Sequence, residues 1–243
     1  MESHINPAAP RLRIWDLLIF LVAMLALAFA ASLLLAFALG PERIARAMPE
    51  GGGGDPMAML AMLAVFFAMG LPAVGLAVVR HGRHAPRLLG LHRGGGRWLW
   101  IAPIAVLIVS FAVDEGLLRL VHAWAGKEVL PSVSAVIAEI ATSPARTVLA
   151  ALVLGVLAPT VEELIFRGLV YGYVEGRFGG IAALIVSSLL FAGAHVEWIH
   201  MALVLPIGLL LGWVRMRSGS LWPTIAAHIA NNCVAVIASF LLR

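Results

Sequence analysis

The stretch Thr160-Val161-Glu162-Glu163-Leu164-Ile165-Phe166-Arg167 sets two carboxylates and a guanidinium inside a run otherwise fit for lipid. From Val148 to Val170 there are thirteen Leu, Ile, Val or Phe residues, and this trio carries the only charges. On an insertion scale the apolar residues contribute roughly −4 to −8 kcal/mol, and three central charges at about +3 kcal/mol each cancel that. The segment therefore needs partners for its charges. Glu163 and Arg167 are spaced i, i+4, so they can pair on one helix face. Glu162 lies about 100° further round, without a local counter-charge. It is free to take a proton from water, the task of a general base. The same letters also form a capping box, Thr160-x-x-Glu163, which would restart a helix after Pro159. That reading accounts for Glu163 and leaves Glu162 unexplained.

Composition decides what carries this group. The 243 residues are 62% hydrophobic and 12% charged, with a mean hydropathy of +0.99, outside the range of a soluble domain. The net charge of +4 does not point to nucleic acid, because the basic residues sit in short segments between apolar runs, where they set membrane orientation. The single cysteine, Cys233, excludes an intrachain disulfide and any cysteine metal site.

Taken in order, residues 1–13 are polar and basic and read as a disordered cytosolic N-terminus. Ile14 to Leu39 is long enough for a first retained span, and Gly40 to Pro56, with its run of four glycines, reads as a flexible linker. Met57 to Val79 is a second span. The five arginines between Arg80 and Arg97, with no acid among them, place that loop in the cytosol with residues 1–13. A third span runs from Trp98 to Val113, after which Asp114, Glu115, Arg119 and Trp124 mark emergence at the far surface. Residues 126–145 hold a short interfacial helix around Val133 to Ile140. The remaining apolar runs, Arg146 to Gly176, Phe178 to His195, Met201 to Val214 and Leu221 to Leu242, give four more spans. The expected fold is an all-α polytopic transmembrane helical bundle of about seven spans plus the interfacial helix. It divides into 1–13, the N-terminal helices of 14–144, and a catalytic core over 145–243.

Three of the later spans bring polar groups to depth. Counted from the cytosolic helix ends at 1.5 Å per residue, Glu162 lies about 21 Å deep, His195 about 25 Å, and His228 and Asn232 about 12 and 18 Å, heights that helix tilt lets overlap. Phe191 with His195, and His228 with Asn232, are i, i+4 pairs. Glu162-Glu163-x-x-x-Arg167, Phe191-x-x-x-His195 and His228-x-x-x-Asn232, in this order, resemble the CPBP family of intramembrane proteases, also called Abi or CAAX-protease-like, which includes the Rce1-type prenyl endopeptidases. The resemblance covers roughly residues 145–240. It implies that Glu162 and His195 activate the attacking water, that His228 and Asn232 orient it or stabilise the oxyanion, and that Glu163 and Arg167 support the first carboxylate, with Phe191 beside them.

The implied reaction is hydrolysis of a peptide bond in a membrane-associated or prenylated substrate, with membrane lipids as surroundings and no nucleic acid partner. The Ala-, Gly- and Arg-rich composition suggests a bacterial inner membrane. Peptide hydrolysis needs a base, a proton donor for the leaving amine and donors for the oxyanion, and Glu, His and Asn supply them. A cofactor is not required. The alternative is zinc held by Glu162, His195 and His228 with water in the fourth position. His195 and His200 are five apart, about 140° round a helix, so the local zincin pattern is absent. Rival readings are an ion-coupled transporter, for which no inverted repeat is visible, and a non-catalytic immunity-type membrane protein.

Overall fold

The computed structural model describes residues 11–40, 54–92, 94–125 and 132–242. The readings of residues 1–10, of most of the linker from Gly40 to Pro56, of Arg93 and of residues 126–131 fall outside these. Among the described residues every regular element is helical: α1 (Ile14–Leu39), α2 (Pro56–Val78), α3 (Trp98–Ala125), α4 (Ser132–Ile140), α5 (Pro144–Gly193), α6 (Trp198–Ser218) and α7 (Trp222–Leu241). All but α4 are long and apolar enough to cross a membrane. Large apolar side chains such as Phe29, Phe37, Trp100, Ile108 and Phe111 point outward, a surface suited to lipid. The chain is a multi-pass membrane protein with an all-α bundle.

The expected seven spans appear as six apolar helices because two of them are joined. The 50 residues of α5 would measure about 75 Å if straight, far more than a bilayer. Gly179, at φ 81° and ψ 172°, breaks the run. The Phe166 and Phe191 rings, 25 positions apart, stand with centroids 5.4 Å from each other. Tyr171, Val174 and Ala183 pack in one buried cluster. Those pairings run antiparallel about Gly179, so α5 is a hairpin with arms 144–178 and 180–193. A side chain at position 179 would have to enter the left-handed region, which glycine enters freely.

The first arm is not a plain α-helix. Ala151–Leu157 and Leu164–Val170 are wide π-helical turns on either side of the α-helical Ala158–Glu163. Such turns occur frequently at functional sites, and here they bracket the two carboxylates. The capping-box reading does not hold. The helix continues through Pro159, and the Thr160 hydroxyl donates to the carbonyl of Val156 at 2.7 Å instead of capping the backbone ahead of it.

Two further expectations are corrected, and a third element is placed. Helix α3 does not end at Val113 but runs unbroken to Ala125; the exposed Glu115 and Arg119 side chains pair, while Asp114 lines an internal cavity. Helix α4, too short to span, is docked on the bundle through its end. Ile140 is fully buried and packs with Leu60 of α2, Ala150 of α5 and Val236 of α7. Finally, Arg80, Arg83 and Arg87 do not lie in an open loop, since helical turns continue from α2 through Val79–His84 and Ala85–Leu88.

The end of α2 is tied to the start of α1 by charge. The buried Asp16 carboxylate accepts from the backbone N–H of Arg13 at 2.6 Å and from Arg80 Nε at 2.7 Å, with His81 Nε2 at 3.1 Å. This bond sets the two helix ends on one side of the bundle.

Candidate active site

Helices α5, α6 and α7 wrap one cavity of about 330 Å³, closed further by α2, α3 and α4. Glu162 and Phe191 from the two arms of α5, His195 from the turn after it, and His228 and Asn232 from α7 all line it. Each residue that the sequence selected as catalytic therefore faces a common space. The two spans expected on either side of residue 177 are the arms of the hairpin at Gly179, which folds His195 back toward Glu162.

Glu163 and Arg167 sit behind the wall of that cavity, both fully buried. Arg167 Nη1 donates to Glu163 Oε1 at 2.7 Å, and Nη2 donates to the Gly208 carbonyl at 3.0 Å. Its guanidinium lies 4.3 Å from the centroid of the Phe191 ring, a cation–π contact. The expected i, i+4 pair is present. Two side-chain atoms of the pair, Glu163 Oε2 and Arg167 Nε, are buried without a partner.

The pairing expected for Glu163 was incomplete. The His228 ring lies between the two carboxylates, with Nδ1 3.1 Å from Glu163 Oε1 and Nε2 3.6 Å from Glu162 Oε2. A carboxylate only accepts, so Nδ1 carries the proton of the shorter bond. Arg167, Glu163 and His228 thus form a chain in which a carboxylate, itself fixed by a guanidinium, fixes an imidazole. Glu162 is not without a basic neighbour, as helix geometry alone suggested; that neighbour comes from α7, 66 positions away.

His195 is held by a different device. Its Nδ1 lies 2.9 Å from the Phe191 carbonyl, and since a carbonyl cannot donate, Nδ1 bears the hydrogen and Nε2 keeps its lone pair. The ring also stands edge-on to Phe191, with centroids 5.0 Å apart. Phe191 in turn meets Phe166 and His228 edge-on at 5.4 and 5.5 Å. It is the packing hub that sets both imidazoles and covers Arg167.

Asn232 is anchored on the first arm of α5. Its Nδ2 donates to the Leu154 carbonyl at 3.2 Å, which leaves the second hydrogen of the amide for another acceptor. Helix α7 comes this close because Gly155 has no side chain. A Cβ there would stand 2.7 Å from Cys233 Sγ and 3.3 Å from its Cα.

His200 was set aside in the sequence because five positions on a helix put it out of line with His195. The two do not share a helix. Helix α5 ends at Gly193, Val196 adopts a left-handed φ of 61°, and α6 begins at Trp198, so the chain turns and the rings meet with centroids 4.5 Å apart at 75°. His200 lines the cavity too, as does Asn231. The signal for His200 lay in the Gly193-Ala194 pair that stops the helix.

Among the described residues no group of three His, Cys, Asp or Glu side chains converges on one point as an ion requires, and that covers Glu162, His195 and His228.

Comparison with known proteins bears on the same segment. Residues 144–234 match the family described as Type II CAAX prenyl endopeptidase Rce1-like. The segment is Rce1-like. All seven residues singled out by the motifs lie inside it. A Bacillus subtilis protein described as "Putative membrane peptidase YdiL" is 28% identical over 86 residues, which cover 35% of this chain and 35% of that relative. The matched part is therefore about a third of the curated relative's length. No solved structure matches the chain.

Proposed function

We propose that the protein is an intramembrane endopeptidase that hydrolyses a peptide bond of a membrane-associated substrate. The observation that carries this reading is the convergence of Glu162, His195, His228 and Asn232 from separate helices on one 330 Å³ cavity. In a bilayer, an ion-bearing cavity of this kind is costly unless it is used.

Water in the cavity loses a proton to Glu162, with the His195 Nε2 lone pair oriented to share it, and its oxygen adds to the carbonyl carbon of the substrate. The spare N–H of Asn232 donates to the oxyanion that forms, and His228, held by Glu163 through Nδ1–H, orients the water beside Glu162. Collapse of the tetrahedral intermediate breaks the C–N bond, and the proton gained from water passes to the leaving amine. Glu163 acts through His228 and Arg167 acts through Glu163, so both are positioning residues. No step needs a metal ion. The family description supports a lipidated, prenylated peptide as one substrate class, and the apolar lining by Leu63, Phe67, Leu203 and Val204 suits a membrane-borne segment.

The Asp16–Arg80 bond supports a common side for residues 11–13 and the arginine-rich segment, and the arginine excess makes that side cytosolic. The membrane is a bacterial inner membrane on this reading.

Glu162→Gln is the test. It keeps shape and removes the base, so purified protein in detergent should lose several orders of magnitude in turnover while still binding peptide. Retention of activity within about tenfold would overturn the assignment of Glu162. Metal analysis of active wild-type protein decides the other half: stoichiometric zinc would replace the metal-free route.

A further inference from the structure

The cavity holds a second carboxylate that the chemistry above does not use. Asp114 belongs to α3 and lines the space together with Ser110, one turn before it on the same helix face. The Ser110 hydroxyl is hydrogen-bonded to the Asp114 carboxylate. No arginine or lysine is among the described residues that line the cavity. Arg119, the nearest cation along α3, is taken by Glu115, and Arg167 is sealed behind Phe191 by its bonds to Glu163 and Gly208. The cavity is therefore walled by two carboxylates, Asp114 and Glu162, with three imidazoles and two amides between them.

Such a space discriminates by charge. A carboxylate entering it meets two other carboxylates and no arginine or lysine to pair with, whereas an ammonium or guanidinium finds acceptors ready. Asp114 is exposed, so a partner can reach its carboxylate. We propose that Asp114 is the specificity-determining residue of this site, selecting peptides with a lysine or arginine side chain near the scissile bond and disfavouring those with a carboxylate there. This rests on the protease reading for its substrate but on the α3 wall for its argument.

The experiment uses the full chain in an uncharged detergent and a set of apolar fluorogenic peptides that differ at one position, Lys, Gln or Glu, beside the cleaved bond. The reading is the ratio of kcat/KM for the Lys and Glu peptides, in wild type, Asp114→Asn and Asp114→Lys. A ratio of about ten or more is expected in wild type, falling to within about twofold in Asp114→Asn and below one in Asp114→Lys. Labelled peptides are also titrated against Glu162→Gln, with and without Asp114→Asn, by fluorescence anisotropy, which reads charge preference without turnover. Cleavage with no charge preference, or with a preference that survives Asp114→Asn, overturns the role of Asp114 and leaves the protease reading standing. Binding that prefers Lys and depends on Asp114, without cleavage of any peptide by wild type, upholds the role of Asp114 and overturns the protease reading. Absence of both cleavage and charge-dependent binding overturns both.

Discussion

Replacing Arg167 by Met removes the guanidinium that pairs with Glu163 and leaves that carboxylate fully buried. Two bonds are lost, to Glu163 Oε1 at 2.7 Å and to Gly208 O at 3.0 Å, along with the guanidinium over Phe191. Charged hydrogen bonds of this type are worth about 1.5–3 kcal/mol each, and stranding one partner of a buried pair costs about 3–5 kcal/mol. Arg167→Met should therefore lose about 4 kcal/mol, nearly a thousandfold in the folding equilibrium. Glu163→Leu alone strands the guanidinium and should cost a comparable amount. The double variant Glu163→Leu/Arg167→Met removes both charges together, and most of the stability should return, because an apolar pair of similar volume replaces a buried ion pair at little cost. Activity should not return with it. His228 Nδ1 has lost its acceptor, and imidazoles deprived of the carboxylate that orients them lose on the order of 10²–10⁴ in rate. Thermal unfolding followed by size-exclusion recovery in detergent measures the first quantity, and peptide turnover per folded molecule measures the second. A double variant that recovers both stability and turnover would refute the view that Glu163 acts through His228. An Arg167→Met protein as stable as wild type would refute the burial argument itself.

Gly155→Ala should destabilise the protein by about 1–3 kcal/mol through the contact with Cys233 and lower turnover by shifting α7 with His228 and Asn232; Cys233→Ala in the same chain should restore part of the loss, because Sγ is the closest atom but the α7 backbone remains near. Full stability of Gly155→Ala would show that α7 has room to spare. For His200 the edge-to-face contact with His195 is worth about 0.5–1.5 kcal/mol, so His200→Ala should lower kcat by up to about tenfold while His200→Phe, which keeps a ring there, stays near wild type. A His200→Phe protein slower than His200→Ala would mean that the nitrogens matter. For orientation, His92→Cys in a Cys233→Ala background should react with a membrane-impermeant thiol reagent only from the cytosolic side of sealed vesicles, and labelling from the other side would invert the topology.

Much of this protein is determined locally. Apolar runs of 20 or more residues can satisfy their backbone in lipid only as helices, so the all-α membrane bundle follows from hydropathy alone. The Glu163–Arg167 pair follows from i, i+4 spacing, and the resemblance carried by Glu162, Phe191, His195, His228 and Asn232 follows from the order of short motifs. What the chain does not spell out is how residues far apart in sequence come together. That the chain reverses between two spans near residue 177 is legible, but the pivot at Gly179 and the register of the arms depend on the packing of Tyr171 against Ala183 and of Phe166 against Phe191, contacts that exist only once both arms are formed. His228 between two carboxylates, and Asn232 on the Leu154 carbonyl, depend on α7 settling against a glycine in a π-helical turn that no local preference announces. His200 beside His195 depends on one left-handed residue, Val196, in a turn that helical periodicity reads straight through. Asp114 looks like a surface charge in sequence because it precedes an exposed ion pair, and only the packing of α3 beside α6 and α7 turns its side chain into the cavity. Local spacing fixes which groups share a helix face, whereas the site lies between helices, where close packing selects the neighbours.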